Sequence, residues 1–449
     1  MKPSQTKPGS ANGTGGHANA NAVVAQAAAS GSPDIFARCT RNPEIDLYRS
    51  ADQLGLNPFY REIEGEIGPT VIYQGNEVVM LGSNNYLGLT TDPRVRKAAH
   101  EALDHYGTGV TGSRLLNGTL SLHRELEEFL AGWVELPSAL VFTTGYTANV
   151  GLVSTLVQSG DAVFCDSAAH ASLVDGARLA AGTLRAFQHN RPNSLRHGLR
   201  SWRSEPGRGG VLVAVDGIYS MEGDWAPLPE VRAACDDHGA RLLVDEAHAL
   251  GVVGPGGAGT AVATGVRADL VMGTFSKSLA SCGGFIAGPE DVIEYLRVSC
   301  RPLLFTASNV PASLGAALAA AKIAQAEDWR REAVLSLAHR LRSGLAELGY
   351  EVGRPTTSSI VPVRVGDVLS AAVLWRALLD GGVYTNCSIP PAVQRPMLRT
   401  SVMATHTEAQ IDRALSVFED IARHGVVDAG RERLVGLLEP ELELDATAP

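Results

Sequence analysis

The chain has 449 residues, a formal net charge of −10 and 45% hydrophobic residues, enough to bury the cores of two or three domains. No long basic run offsets the acidic balance, which argues against a nucleic-acid partner. No apolar run approaches the roughly 18 residues of a membrane span, and six cysteines without a C-x-x-C pair predict buried thiols in a reducing compartment, with no disulfide frame and no metal site.

Residues 1–32 are rich in Gly, Ala, Asn and Ser and read as a disordered tail. Its Ala-rich patch, 23–29, lacks the pattern of a secretory leader, so a cytoplasmic protein is expected. Residues 33–90 read as an N-terminal arm with two short strands, 70–73 and 77–81, ending in the turn-rich Gly82-Ser83-Asn84-Asn85-Tyr86-Leu87-Gly88. Helices are predicted at 93–105 and 121–133, the second with Leu122, Leu126, Phe129 and Leu130 on one face. Seven short β-branched runs then recur, at 139–142, 162–165, 184–187, 211–215, 241–244, 270–272 and 285–287. Most are separated by enough chain for a helix, which predicts an α/β fold with a mainly parallel seven-stranded sheet and ligands at the carboxyl ends of its strands. This large domain is expected over 91–305. A smaller α+β domain follows over 306–430, with helices near 311–326, 329–348 and 369–379, strands at 360–365, 383–389 and 398–403, and a last helix from Glu408. Residues 431–449 read as a C-terminal tail.

The predicted strand ends carry the chemistry. Thr144-Gly145-Tyr146-Thr147 runs from a strand into a helix, either an ordinary turn or an anion site at a helix N-terminus. His170 closes the next strand, as a core histidine or as a flat ring for an aromatic cofactor. Asp216 to Asp224 is a polar turn that includes Ser220. Asp245-Glu246-Ala247-His248 resembles a helicase box as a string, but no P-loop lysine precedes it. Its other reading makes Asp245 the partner of a pyridinium nitrogen. Lys277 is one of five lysines and the only one set among small and apolar neighbours directly after a strand; an amine can lose its proton and attack a carbonyl. Gly254 to Gly259 matches a dinucleotide fingerprint but carries a proline and does not link strand to helix, so it reads as a mobile glycine loop. Arg196, Arg200 and Arg203 share one helix face, either a solvated surface or a dock for an acyl carrier protein. Arg399, on a predicted strand, reads as a structural ion pair or as a clamp for a substrate carboxylate.

Taken together, Ser83 to Gly88, Thr144 to Asn149, His170-Ala171-Ser172, Tyr219 to Asp224, Asp245 to His248 and Gly273 to Lys277 resemble the ordered motifs of the α-oxoamine synthases, pyridoxal-phosphate enzymes of aminotransferase fold type I. The likeness spans roughly residues 45–425. It implies pyridoxal 5′-phosphate as cofactor, Lys277 as its Schiff-base lysine and the base for the amino acid's α-proton, and Asp245 on the pyridine nitrogen. His170 would stack on the ring, Ser220 and His248 would reach its phenolic oxygen, and Gly145, Tyr146, Thr274 and Ser276 would hold its phosphate. Arg399 would bind the amino-acid carboxylate with Asn84 nearby. The implied reaction joins glycine, alanine or serine to an acyl thioester, on CoA or a carrier protein, with loss of CO₂, in a homodimer whose Phe305-Thr306-Ala307-Ser308 stretch serves the neighbour's site. An aminotransferase or aldolase of the same fold and a non-catalytic partner subunit are the alternatives. Two departures bear on the acyl donor: Ala249 stands where serine is frequent, and Ser113 to Thr119 carries a run associated with fatty-acyl or polyketide members.

Overall fold

The computed structural model describes residues 35–445 apart from 41 and 355, with the backbone alone at 40, 43, 44 and 436–445. The predicted tail at 1–32 lies outside the described residues. Contacts divide the chain into two units at Asn57/Pro58. In the first, helices cover Ala37–Thr40 and Pro43–Gln53, and Asn57 donates to Asp52.

The second unit begins with a hairpin of β1 (Thr70–Tyr73) and β2 (Asn76–Met80). Helices Pro93–Tyr106 and Ser121–Trp133 follow. Asp92 caps the first by accepting from Arg94 N–H, with proline at the first helical position, where its missing donor costs nothing. Seven strands then come at the predicted places: β3 (Ser138–Phe142), β4 (Ala162–Asp166), β5 (Thr183–Phe187), β6 (Val211–Asp216), β7 (Arg241–Asp245), β8 (Leu270–Thr274) and β9 (Gly284–Gly288). They form one sheet in the order β3-β9-β8-β7-β6-β4-β5. Helical crossovers make β4 to β8 parallel, whereas β9 runs antiparallel to both neighbours. Only the turn 275–283 separates β8 from β9, too short for a crossover helix, so the chain folds straight back.

Side chains alternate between two apolar layers because successive residues of a strand face opposite ways. Val141, Phe164, Val213 and Phe285 pack with the helices Ser121–Trp133, Pro192–Ser204 and Pro311–Ala326. Leu140, Val163, Leu212 and Ile286 pack on the other face with Gly145–Leu156, Ala171–Leu179 and Glu290–Ser299. Both faces are therefore covered, which is why the strands read as nearly continuous apolar runs.

A separate apolar cluster holds the later elements: helices Asp328–Glu347, Val368–Asp380 and Glu408–Arg423 with β10 (Ile360–Arg364), β11 (Val383–Tyr384), β12 (Asn386–Ser388) and β13 (Met397–Ser401). The single strand predicted at 383–389 is two. β11 pairs parallel with β2, while β12 joins β13, which also pairs with β10. One stretch thus stitches two small sheets together. The region read as a C-terminal tail is helical from Val426 to Asp445. No helix among the described residues is long and apolar enough to cross a membrane.

Candidate active site

Five strands deliver their last residues to one rim of the large sheet, where loops are free to carry polar side chains. A cavity of about 230 Å³ opens there, lined by Gly145, His170, Asp245, His248, Thr274 and Lys277 among others.

The Gly145–Leu156 helix enters from β3. Thr144 caps it by accepting from Thr147 N–H. The N–H groups of Gly145 and Tyr146 have no partner among the described residues and are left for an anion. Gly145 packs so closely that a Cβ there would lie 2.9 Å from Thr274 Oγ1, and a Cβ on Gly284 would meet the Gly145 backbone at 2.6 Å. Opposite, Thr274 Oγ1 and Ser276 Oγ lie 2.9 Å apart. Two free amides and two hydroxyls face one space, a donor set suited to a phosphate.

Asp245 ends β7 and is almost fully buried. Asn149 Nδ2 donates to its Oδ2 at 2.8 Å and Ala247 N–H to its Oδ1 at 2.9 Å. Asn149 also donates to Ser172 Oγ, which lies 2.7 Å from His170 Nδ1. The carboxylate and the imidazole are thereby oriented by one shared amide. Asp216, at the end of β6, accepts from His170 N–H at 3.1 Å; burial and the neighbouring Asp245 charge push its carboxyl well above the ordinary range. Burial also lowers the His170 imidazole, against the pull of Asp245.

Lys277 Nζ lies 2.8 Å from His248 Nε2. Burial lowers its amine to about 8, with Asp245 opposing and Arg399 adding to the shift. The same burial, with Lys277 and Arg399 nearby, holds the His248 imidazole well below its usual pKa. The amine sits in the turn that returns to β9, fixed by Phe275 N–H to Gly283 O and Ser281 N–H to Phe275 O.

Arg399 lies on β13 and is 4% exposed. Its guanidinium donates to Asn84 Oδ1 at 2.8 Å, Tyr86 Oη at 2.9 Å and the Ser220 carbonyl at 2.8 Å. All three acceptors are neutral, and no carboxylate pairs with it among the described residues. The ion-pair reading of Arg399 is thereby removed.

Most of the predicted site residues meet here: Gly145, Tyr146, His170, Asp245, His248, Thr274, Ser276 and Lys277 line the cavity. Asn84 and Arg399 stand behind it, joined to His248 through Tyr86. Ser220 contributes its carbonyl to Arg399 and is not part of the lining. Tyr146 also sends its hydroxyl to Asp175. Tyr86, Asn149, Ser172 and Asp216 were not singled out as site residues. Tyr86 meets partners 162 and 313 residues away, Asn149 meets Asp245 96 residues on and Asp216 meets His170 46 residues back, separations no local pattern encodes, whereas Ser172 sits two residues from His170.

Arg196 pairs with Asp237, and Arg203 donates to the carbonyls of His238, Gly239 and Gly209. The glycine string is a packed turn: Gly251 N–H donates to Gly257 O and Gly259 N–H to Val253 O. Ala249 is fully buried in the apolar cluster behind His248. Arg114 of the Ser113–Thr119 run is buried against Glu127 and the Val141 carbonyl, leaving Leu115 and Leu116 exposed. No group that could hold a metal ion occurs among the described residues.

The family model for aminotransferase class I and II matches residues 76–418. The chain is 42% identical over 389 residues to a serine palmitoyltransferase of Caulobacter vibrioides, covering 85% of this chain and 96% of that one. It is 42% identical over 394 residues to a putative 8-amino-7-oxononanoate synthase 2 of Mycobacterium tuberculosis, covering 85% of this chain and 50% of that longer one. Among solved structures, a serine palmitoyltransferase from S. paucimobilis with bound PLP–myriocin superposes with a TM-score of 0.84 at 38% identity, covering 88% of this chain and 100% of that chain. The chain belongs to the aminotransferase class I and II family and, within it, to the α-oxoamine synthases, the pyridoxal-phosphate-dependent acyltransferases.

Proposed function

We propose that this protein condenses L-serine with a long-chain acyl thioester, releasing CO₂ and the free thiol and forming an α-amino ketone. The observation that carries this reading is Arg399: a buried guanidinium with only neutral acceptors, set one side chain away from the pair formed by His248 and the Lys277 amine. Such a cation calls for a small anionic substrate group, and an amino-acid carboxylate matches its fork. Serine and the palmitoyl chain are the substrates named for the Caulobacter relative.

The donor set fits pyridoxal phosphate. The amides of Gly145 and Tyr146 and the hydroxyls of Thr274 and Ser276 would hold the phosphate, Asp245 the ring nitrogen, and His170 a ring face. When bound, the cofactor supplies the electron sink that acidifies the amino acid's α-carbon and links covalently to Lys277 at rest. Asp245 is held in a fixed orientation because Asn149 and Ala247 donate to its two oxygens. Lys277, once free, accepts the α-proton; its lowered pKa leaves a large share of neutral amine near pH 8. Arg399, steadied by Asn84, Tyr86 and Ser220, fixes the carboxylate and so orients the bond to be broken. In this reading residues 91–305 form the cofactor-binding domain and 306–430 the smaller domain that supplies Arg399.

The working unit is a homodimer. Leu115, Leu116, Phe305 and Val310 are exposed, and Ala307 and Ser308 are tied to Ser113 and Gly112, so these apolar side chains lie on two segments joined by backbone pairing. Contiguous exposed apolar side chains of this kind mark an interface.

The test supplies the cofactor-loaded protein with single amino acids and palmitoyl-CoA or palmitoyl carrier protein, measuring free thiol and CO₂ from carboxyl-labelled substrate. Serine is expected to yield the two in equal amounts. Amino transfer to an oxoacid without thiol release would overturn the reading.

A further inference from the structure

Tyr86 is fully buried behind the cavity wall, and its single hydroxyl meets groups from three parts of the chain. Arg399 Nη2 lies at 2.9 Å, His248 Nδ1 at 2.7 Å and Asn84 Oδ1 at 3.1 Å. A guanidinium can only donate and an amide oxygen can only accept. Tyr86 therefore accepts from Arg399 and has one proton to give, to His248 Nδ1 or to Asn84 Oδ1.

The far side of His248 decides between them. Its Nε2 lies 2.8 Å from Lys277 Nζ. Were Nδ1 to accept from Tyr86, a neutral imidazole would carry its hydrogen on Nε2 and aim it at the lysine. An ammonium has no lone pair to receive it. Below about pH 8 the ammonium is the main form of Lys277, while burial and the neighbouring cations keep His248 neutral. One arrangement satisfies every group: Lys277 N–H donates to Nε2, Nδ1–H to the Tyr86 oxygen, and Tyr86 O–H to Asn84. Asn84 Oδ1 then also accepts from Arg399 Nη1 at 2.8 Å, so each lone pair and proton of the chain has a partner.

We propose that Tyr86 is a positioning residue: it fixes His248 in the Nδ1–H tautomer, so that Nε2 faces Lys277 as an acceptor, and it ties that tautomer to Arg399 and Asn84. An anion arriving at Arg399 is then felt at His248 through one hydroxyl. The link to substrate rests on the carboxylate-binding reading of Arg399 above; the tautomer itself does not.

The test is ¹⁵N-histidine NMR on the full-length, cofactor-free protein near pH 7, with the His248 signals assigned by their loss in His248→Asn. The native protein is expected to show Nδ1 protonated and Nε2 bare, and Tyr86→Phe to shift His248 substantially toward the Nε2–H form. A native Nε2–H tautomer overturns the proposal, as does an unchanged tautomer in Tyr86→Phe; should that variant not fold, the native spectrum decides alone. In the loaded enzyme, Tyr86→Phe is expected to raise KM for the amino acid about tenfold, the loss of one hydrogen bond to a charged group, and an unchanged KM removes the link to Arg399. The expected tautomer in a protein that releases no thiol or CO₂ would instead defeat the reading of function and leave the tautomer assignment standing.

Discussion

Lys277 and Arg399 are two cations in one buried neighbourhood, and each answers to a different measurement. The Lys277 amine is brought down to about 8 by burial, with Asp245 resisting, against ~10.4 for an unperturbed lysine. A lowered base is neutral above its folded pKa, so its nucleophilic form accumulates as pH rises through 8. In the cofactor-free protein, labelling of Lys277 by a small amine-reactive ester should climb about tenfold per unit below pH 8 and level off above it, since the neutral fraction is what reacts. Peptide mass spectrometry reads this site by site; an inflection above 10 would mean the amine is not desolvated. Lys277→Ala should lower condensation by at least about 10²-fold, the smaller end of what a positioned base contributes. Arg399→Lys keeps the charge but loses the fork, and should raise KM for the amino acid about 10- to 100-fold while the loaded protein keeps its visible spectrum. Parallel loss of the spectrum would assign Arg399 to cofactor retention instead.

At the scale of elements, the site depends on how strand ends are held. Glu246 follows Asp245 but points the other way, fully buried, and accepts from Thr260 N–H and Oγ1 and from Ala261 N–H. Its carboxylate thus pins the glycine turn and the short helix Thr260–Ala263 beneath the β7 loop. Gly259 is needed beside it, at φ 102° with a would-be Cβ 2.7 Å from the carboxyl carbon. Glu246→Gln would set an amide hydrogen against those donors, costing about 1–3 kcal/mol. At roughly 2–4 °C per kcal/mol for a large domain, thermal unfolding should begin several degrees lower, with KM for serine little changed. A large KM change at unaltered stability would show that Glu246 acts on the site directly. The seven strands were legible in the sequence because all but the edge strand β5, where Arg185 and Ala186 are exposed, are buried on both faces and read as apolar runs. The break inside 383–389 was not, since a change of pairing partner at Thr385 leaves no mark on composition.

For the whole molecule, assembly and catalysis are expected to stand or fall together. Phe305 is 74% exposed and Leu116 is 77% exposed, and Phe305→Asp combined with Leu116→Asp should shift the protein to a monomer in sedimentation and lower condensation sharply. A fully active monomer would refute the shared-site reading. The sequence by itself determined the sheet, the lysine after β8, the aspartate ending β7 and the turn from β3 into the Gly145–Leu156 helix, because each rests on a local rule: period, punctuation, or one residue type in one place. The tertiary structure alone decided that Arg399 has no counter-ion among the described residues, that Asn149 orients both Asp245 and His170, and that Tyr86 joins Arg399 to His248. Those facts depend on groups brought within about 3 Å from distant parts of the chain, and at that range burial and neighbouring charges, which no stretch of sequence carries, lower the pKa of Lys277 and of His248.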